Sequence, residues 1–77
     1  MQEAWIKWDY SDEGLRARGL GDVSLMTKGF LGRAKLIHSA PFRIGDKDSE
    51  LGALRRIMDY AKRGGYRIDE NRTETKL

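Results

Sequence analysis

Lys7, Lys28, Arg33 and Lys35 stand in segments that alternate apolar with polar residues, and Trp5 and Phe30 stand among them. Side chains of these kinds neutralise phosphates or reach base edges, and rings beside them stack on bases. Arg16 and Arg18, in "LRARGLG", could clamp a sugar-phosphate backbone. A second candidate patch is Arg55, Arg56, Lys62 and Arg63, all three or four residues from Asp59. At that spacing one carboxylate can partner any of the four on a helix's wet face, and cations in a last turn offset the helix dipole. Most of this second cluster is thus what a stable helix wants.

Other chemistries lack their parts. His38 is the sole histidine and there is no cysteine, so no zinc site can be assembled. Ser39 and His38 are adjacent, and neighbours in a strand point to opposite faces, which denies them a nucleophile-base contact. Gly14 and Gly19 have the Walker spacing, but Leu20 and Gly21 follow where Lys and Ser or Thr are needed. "KGF" at Lys28 to Phe30 opens like an RNA-recognition signature, yet Leu31 and Gly32 replace its small residue and second ring. The expectation is a non-enzymatic protein with no cofactor and no metal.

The chain has 77 residues, 39% of them hydrophobic, with two Trp, three Tyr and two Phe. That suits one small domain, which at this size buries only about 60% of its unfolded surface. Absence of cysteine removes the disulfide framework of small secreted domains and favours a reducing, cytoplasmic setting. Glu3, Lys7 and Asp9 interrupt the apolar residues near the start, so no membrane partner is expected there. Fifteen Lys and Arg against twelve Asp and Glu give a net charge of +3. Distribution says more: from Leu15 to Gly45 the basic residues are Arg16, Arg18, Lys28, Arg33, Lys35 and Arg43, and the only acid is Asp22.

The elements that must position these residues follow from periodicity. "EAWIKWDYS" places Ala4, Ile6, Trp8 and Tyr10 on one face of a strand and leaves Trp5 on the wet one. "SDEGLRARGLG" reads as a mobile loop, and "DVSLMTK" as a second strand. "GFLG" suits a hairpin connection to a third strand, "RAKLIHS", with Ala34, Leu36 and His38 on one face and Arg33, Lys35 and Ile37 on the other. Pro41 stops that ladder or confines it to an edge. Asp46 or Asp48 caps a helix whose apolar stripe is Leu51, Leu54, Ile57, Met58 and Ala61, and Gly64 with Gly65 ends it.

The predicted fold is α+β, a three-stranded antiparallel sheet packed against one C-terminal helix (β-β-β-α) in two layers. Residues 1–68 would form the domain and 69–77 a flexible polar tail. The outer sheet face would then gather Lys7, Lys28, Arg33 and Lys35 with only Asp9 to offset them, and like charges across strands repel. An anion could supply the compensation. The sequence therefore points to a nucleic-acid partner, duplex DNA first, for an accessory or regulatory protein. The rival is a protein-binding inhibitor or adaptor anchored by Trp5, Met26, Phe30 and Ile37, and a free strand edge could equally build a dimer.

Overall fold

Alternation builds the first strand as expected. The computed structural model describes residues 2–77, and β1 (Gln2–Asp9) turns Ala4, Ile6 and Trp8 toward the core. A single helical turn, α1 (Glu13–Ala17), leads to β2 (Leu20–Lys28). A 3-10 turn at Phe30–Gly32 joins it to β3 (Ala34–Arg43), and the long helix α2 (Lys47–Arg63) crosses to β4 (Tyr66–Lys76). The sheet order is β3-β2-β1-β4. β2 is antiparallel to both β1 and β3, whereas β4 runs parallel to β1.

The α+β class and the single main helix agree with the sequence, but the three-stranded antiparallel sheet is corrected to a four-stranded mixed one. The extra strand comes from the segment expected as a flexible tail. Thr73 and Thr75 lie opposite Ile6 and Trp8, while Glu74 and Lys76 lie opposite Lys7 and Asp9. Threonine suits a pleated surface, and charged side chains on an edge strand discourage further pairing. The register jumps between Ala4↔Ile68 and Ile6↔Thr73, so residues 69–72 bulge out beside Trp5.

That bulge changes the fate of Trp5. The ring, expected on the wet side, is only 4% exposed. The Arg72 guanidinium lies 3.5 Å from its centroid, and its Nε1–H donates to Glu74 Oε1. Met26 and Ser24, also on this face, are buried as well.

The core lies between the sheet and α2. Ala53, Ile57 and Ala61 meet Ala4, Ile6, Val23, Leu25, Ala40 and Phe42 there. Leu51 and Met58, expected in the apolar stripe, are 56% and 48% exposed. The helix is rotated so that Ala53 and Ala61 face the strands, small side chains that let its backbone come close. The Phe42 ring stands edge-on to Trp8 and Tyr10, with centroids 5.4 and 5.6 Å away. Gly21 makes room for it, since a Cβ there would lie 2.6 Å from Phe42 Cζ. Asp46 is the cap of α2, its Oδ1 accepting from Ser49 N at 3.1 Å. Asp12 likewise caps α1, accepting from Leu15 N at 3.0 Å, which turns part of the expected mobile loop into a helical turn.

β3 departs from strict alternation. Met26 pairs with Leu36 but Leu25 with His38, so Ile37 is an extra residue in the ladder. Ile37 packs against the core, and Leu36 comes to the outer face opposite Met26. Lys35 pairs with Thr27, which also pairs with Ala4, and so falls on the helix side. Pro41 sits inside this strand because β3 is an edge, where a missing amide proton costs no ladder bond.

Two carboxylates at the α1 end respond to pH in opposite senses. Hydrogen bonds from Ser11 Oγ (2.6 Å) and Ser11 N (2.8 Å) hold the Asp9 carboxyl below its ordinary value. Its contribution to stability is present above the unfolded-chain pKa and is lost as pH falls through the lowered one. Burial, then the nearby Asp9 and Asp12, push Asp22 upward. The folded state therefore holds that proton more tightly than the unfolded chain, and stability declines as pH rises from the ordinary carboxylate value through the raised one. Asp9 and Asp22 are cross-strand partners. Asp22→Asn should stabilise the protein at pH 7 by roughly 0.2–1 kcal/mol, the size of a like-charge cross-strand repulsion. In urea titrations the gain should vanish by about pH 3, where both states are protonated. A gain that persists there would implicate something other than charge.

Candidate functional site

β3 leads away from the hairpin and α2 returns alongside it, so the first half of the strand lies by the last half of the helix. The contact that fixes this is a stack of His38 on Tyr60, with ring centroids 4.3 Å apart and planes 8° from parallel. Both rings are exposed. The sequence placed His38 inward beside Leu36, but the extra residue at Ile37 separates the two.

Cations gather around this stack. Arg56 and Arg63 lie four residues before and three after Tyr60, hence on its side of the helix. Lys35 lies two ladder steps from His38, about 7 Å toward the hairpin tip, on the helix side of the sheet. Arg33 follows the turn that carries Phe30, which is 86% exposed. Among the described residues the only ion pair is Glu3–Arg67, so Asp59 closes none with the four helix cations. From Val23 to Gly45 the chain has Lys28, Arg33, Lys35 and Arg43 and no acid at all. The strip from Arg33 past Lys35 and Arg63 to Arg56 is thus rich in cations, with the two stacked rings between Arg63 and Arg56.

The remaining expected site residues do not join it. Lys7 is half-buried on the outer face with Glu74 as its register partner, and Lys76 stands opposite Asp9 in the same way. The expected plane of uncompensated cations is therefore absent, because β4 brings its own carboxylate to it. Trp5 is roofed over and cannot stack on a ligand. Lys28 is exposed at the end of β2, opposite Ala34 on the outer face, across the sheet from Lys35. Arg16 and Arg18 sit on α1 and its C-terminal cap, at the opposite end of β2 from the hairpin. A nine-residue strand separates them, about 25–30 Å. Arg55 and Lys62 are each one residue from Arg56 and Arg63 and so turn about 100° away, Lys62 toward a shallow groove with Met58, Tyr66 and Ile68.

Leu31, at 80% exposure, joins Phe30 at the hairpin tip and was not singled out in the sequence. Of the rival's anchors, Trp5 and Met26 are buried and Ile37 packs on the core, which leaves Phe30.

Among the described residues no group of three or more His, Cys, Asp or Glu side chains is placed to hold a metal ion. No helix is long and apolar enough to cross a membrane. No protein-family model, curated protein or solved structure matches the chain.

Proposed function

We propose that this chain is a small non-enzymatic DNA-binding protein, accessory or regulatory in role, that docks through the edge made by β3 and the last half of α2. Arg33, Lys35, Arg56 and Arg63 neutralise phosphates along one backbone, and the exposed His38–Tyr60 pair offers a flat surface between them. The observation that carries this reading is the strip of four cations, none in an ion pair, that the His38–Tyr60 stack brings together. Guanidinium and ammonium groups left without carboxylates lose little when they turn to phosphate, and the release of counterions drives the association.

The test is salt dependence. With four phosphates neutralised, log K against log salt should fall with a slope of about −3.6, and affinity for a labelled duplex should drop roughly a hundredfold between about 50 and 200 mM salt. Lys35→Glu with Arg56→Glu should weaken binding at least about tenfold and flatten the slope by about 2. Arg16→Glu with Arg18→Glu, at the far end of the sheet, should change far less. No binding to duplex or single-stranded nucleic acid at low salt overturns the reading.

Leu36 favours a second reading, the protein-binding inhibitor or adaptor. It is exposed on the outer face of β3, and Phe30 and Leu31 stand at the tip beyond it. Such an interface would be anchored by apolar contact and would change little over the same salt range. Pairing along the β3 edge, in a dimer or with a partner strand, is hindered by Pro41 and the extra residue at Ile37.

A further inference from the structure

Apart from Leu77 at the chain end, Phe30 and Leu31 are the most exposed large apolar side chains among the described residues, at 86% and 80%. Their exposure is fixed by the backbone. Gly29 N donates to Arg33 O at 2.6 Å, Gly32 N to Gly29 O at 3.2 Å, and Arg33 N to Phe30 O at 3.3 Å. Leu31 has φ +60° and Gly32 has φ +75°, the left-handed region that a branched side chain enters at a cost. The neck is tight as well: a Cβ on Gly29 would meet Lys35 Cβ at 3.1 Å and Arg33 O at 3.2 Å. A turn held this closely presents two apolar groups to water in a set direction, a shape that burial in a partner would relieve.

The flanking charge says which partner. From Phe30 to His38 the hairpin extends about 15 Å, and Arg33 and Lys35 lie on that path, with Arg63 on the tip side of Tyr60 and Arg56 on its far side. A lipid surface met head-on by the tip would leave Arg56, on the far side of the His38–Tyr60 stack, away from its headgroups. A nucleic-acid backbone running past the tip keeps all four cations in reach. We propose that Phe30 and Leu31 form a wedge that enters between two base pairs of duplex DNA from the minor groove and kinks it, while the cation strip holds the flanking phosphates. Apolar side chains inserted this way unstack one step and bend the duplex by about 20–90°. Pyrimidine–purine steps such as TA open most easily, so they are the preferred point of insertion. The inference rests on the DNA-binding reading above.

The experiment uses a duplex of about thirty base pairs with one central TA step, a dye at each end and 2-aminopurine at the step. The wild-type protein should raise energy transfer between the ends and raise 2-aminopurine emission severalfold. Phe30→Ala with Leu31→Ala, at positions whose exposure leaves the core untouched, should abolish both signals, weaken binding about tenfold and leave the salt slope unchanged. Binding with the expected slope but no bend and no emission change overturns the wedge and leaves the DNA-binding reading standing. Absence of duplex binding, with Phe30-dependent sedimentation on phosphatidylcholine–phosphatidylserine vesicles instead, overturns both.

Discussion

Phe42→Ala is expected to leave a measurable fraction of the chain unfolded at room temperature without denaturant. The ring is 1% exposed, wedged edge-on between Trp8 and Tyr10 and seated over Gly21. Removing a buried phenylalanine side chain costs about 3–5 kcal/mol, because the lost transfer free energy adds to the cavity left behind. Gly21 has no side chain to fill that cavity, and two aromatic rings lose their edge contact at once. Domains are stable by about 0.05–0.15 kcal/mol per residue, or roughly 4–12 kcal/mol for a chain of this length, so the loss takes a large share of the whole. A domain this small shifts its Tm by about 4–8 °C per kcal/mol, which predicts a fall of about 12–40 °C. Leu51→Ala, on the exposed side of α2, should change stability by no more than about 0.5 kcal/mol. The two substitutions test the same helix-on-sheet geometry from opposite sides: equal effects would mean that α2 is rotated from the position found here.

That rotation shows how far hydrophobic periodicity could be trusted. Ile57 and Ala61 fell on the expected face, but large residues drew the predicted stripe toward Leu51 and Met58. Small ones set the real contact through Ala53 and Ala61. Spacing alone cannot separate an alanine that packs closely on a sheet from one that merely favours helix. β1, β2, the hairpin at "GFLG" and the helix with its glycine stop were legible, because each repeats one period over several residues or ends in a residue with a special backbone role. β4 was not. Its alternation is between threonine and charge, at Thr73, Glu74, Thr75 and Lys76, and a scan for apolar residues passes over it.

The candidate site was legible in its parts but not in its assembly. Arg33, Lys35, Arg56 and Arg63 all stood out as cations, yet they belonged to two separate patches. One extra residue, Ile37, moves Lys35 to the helix side, where His38 was expected and lies, and no residue type marks it in advance. On that side His38 stacks on Tyr60, and with Lys35 beside them the two patches become neighbours. Lys7 leaves the site because a carboxylate, Glu74, stands opposite it on a strand more than sixty residues away in the chain. Charge balance on a sheet is a property of neighbours across strands. A misplaced or missing strand falsifies it even where every residue on the other strands is assigned correctly.

Ending the chain at Asp69 separates a flexible tail from a structural strand more sharply than any point substitution. If residues 70–77 were a tail, their removal would pass unnoticed. The structure predicts the reverse. The deletion takes away Arg72 from the face of Trp5, the Glu74 carboxylate from its Nε1–H, and the partners of Ile6, Lys7, Trp8 and Asp9 in the parallel ladder. Burying one large apolar side chain contributes about 1.5–3 kcal/mol. Trp5 is one such group, and the lost ladder bonds add to it at about 1 kcal/mol each. The total is comparable with the stability of the whole domain. β1 would also become a bare edge flanked by Trp5, Ile6 and Trp8, which invites pairing with other chains. Tryptophan emission should therefore shift to the red, cooperative unfolding should be lost and the truncated protein should self-associate. Arg72→Ala is the gentler companion. Loss of a cation over the indole costs about 0.5–2 kcal/mol, and because Arg72 lies by β4 while Lys35 and Arg56 lie by β3, at opposite edges of the sheet, DNA affinity should stay unchanged as the Trp5 emission moves. A fall in affinity with Arg72→Ala as large as with Lys35→Glu and Arg56→Glu would move the binding surface to the β4 side.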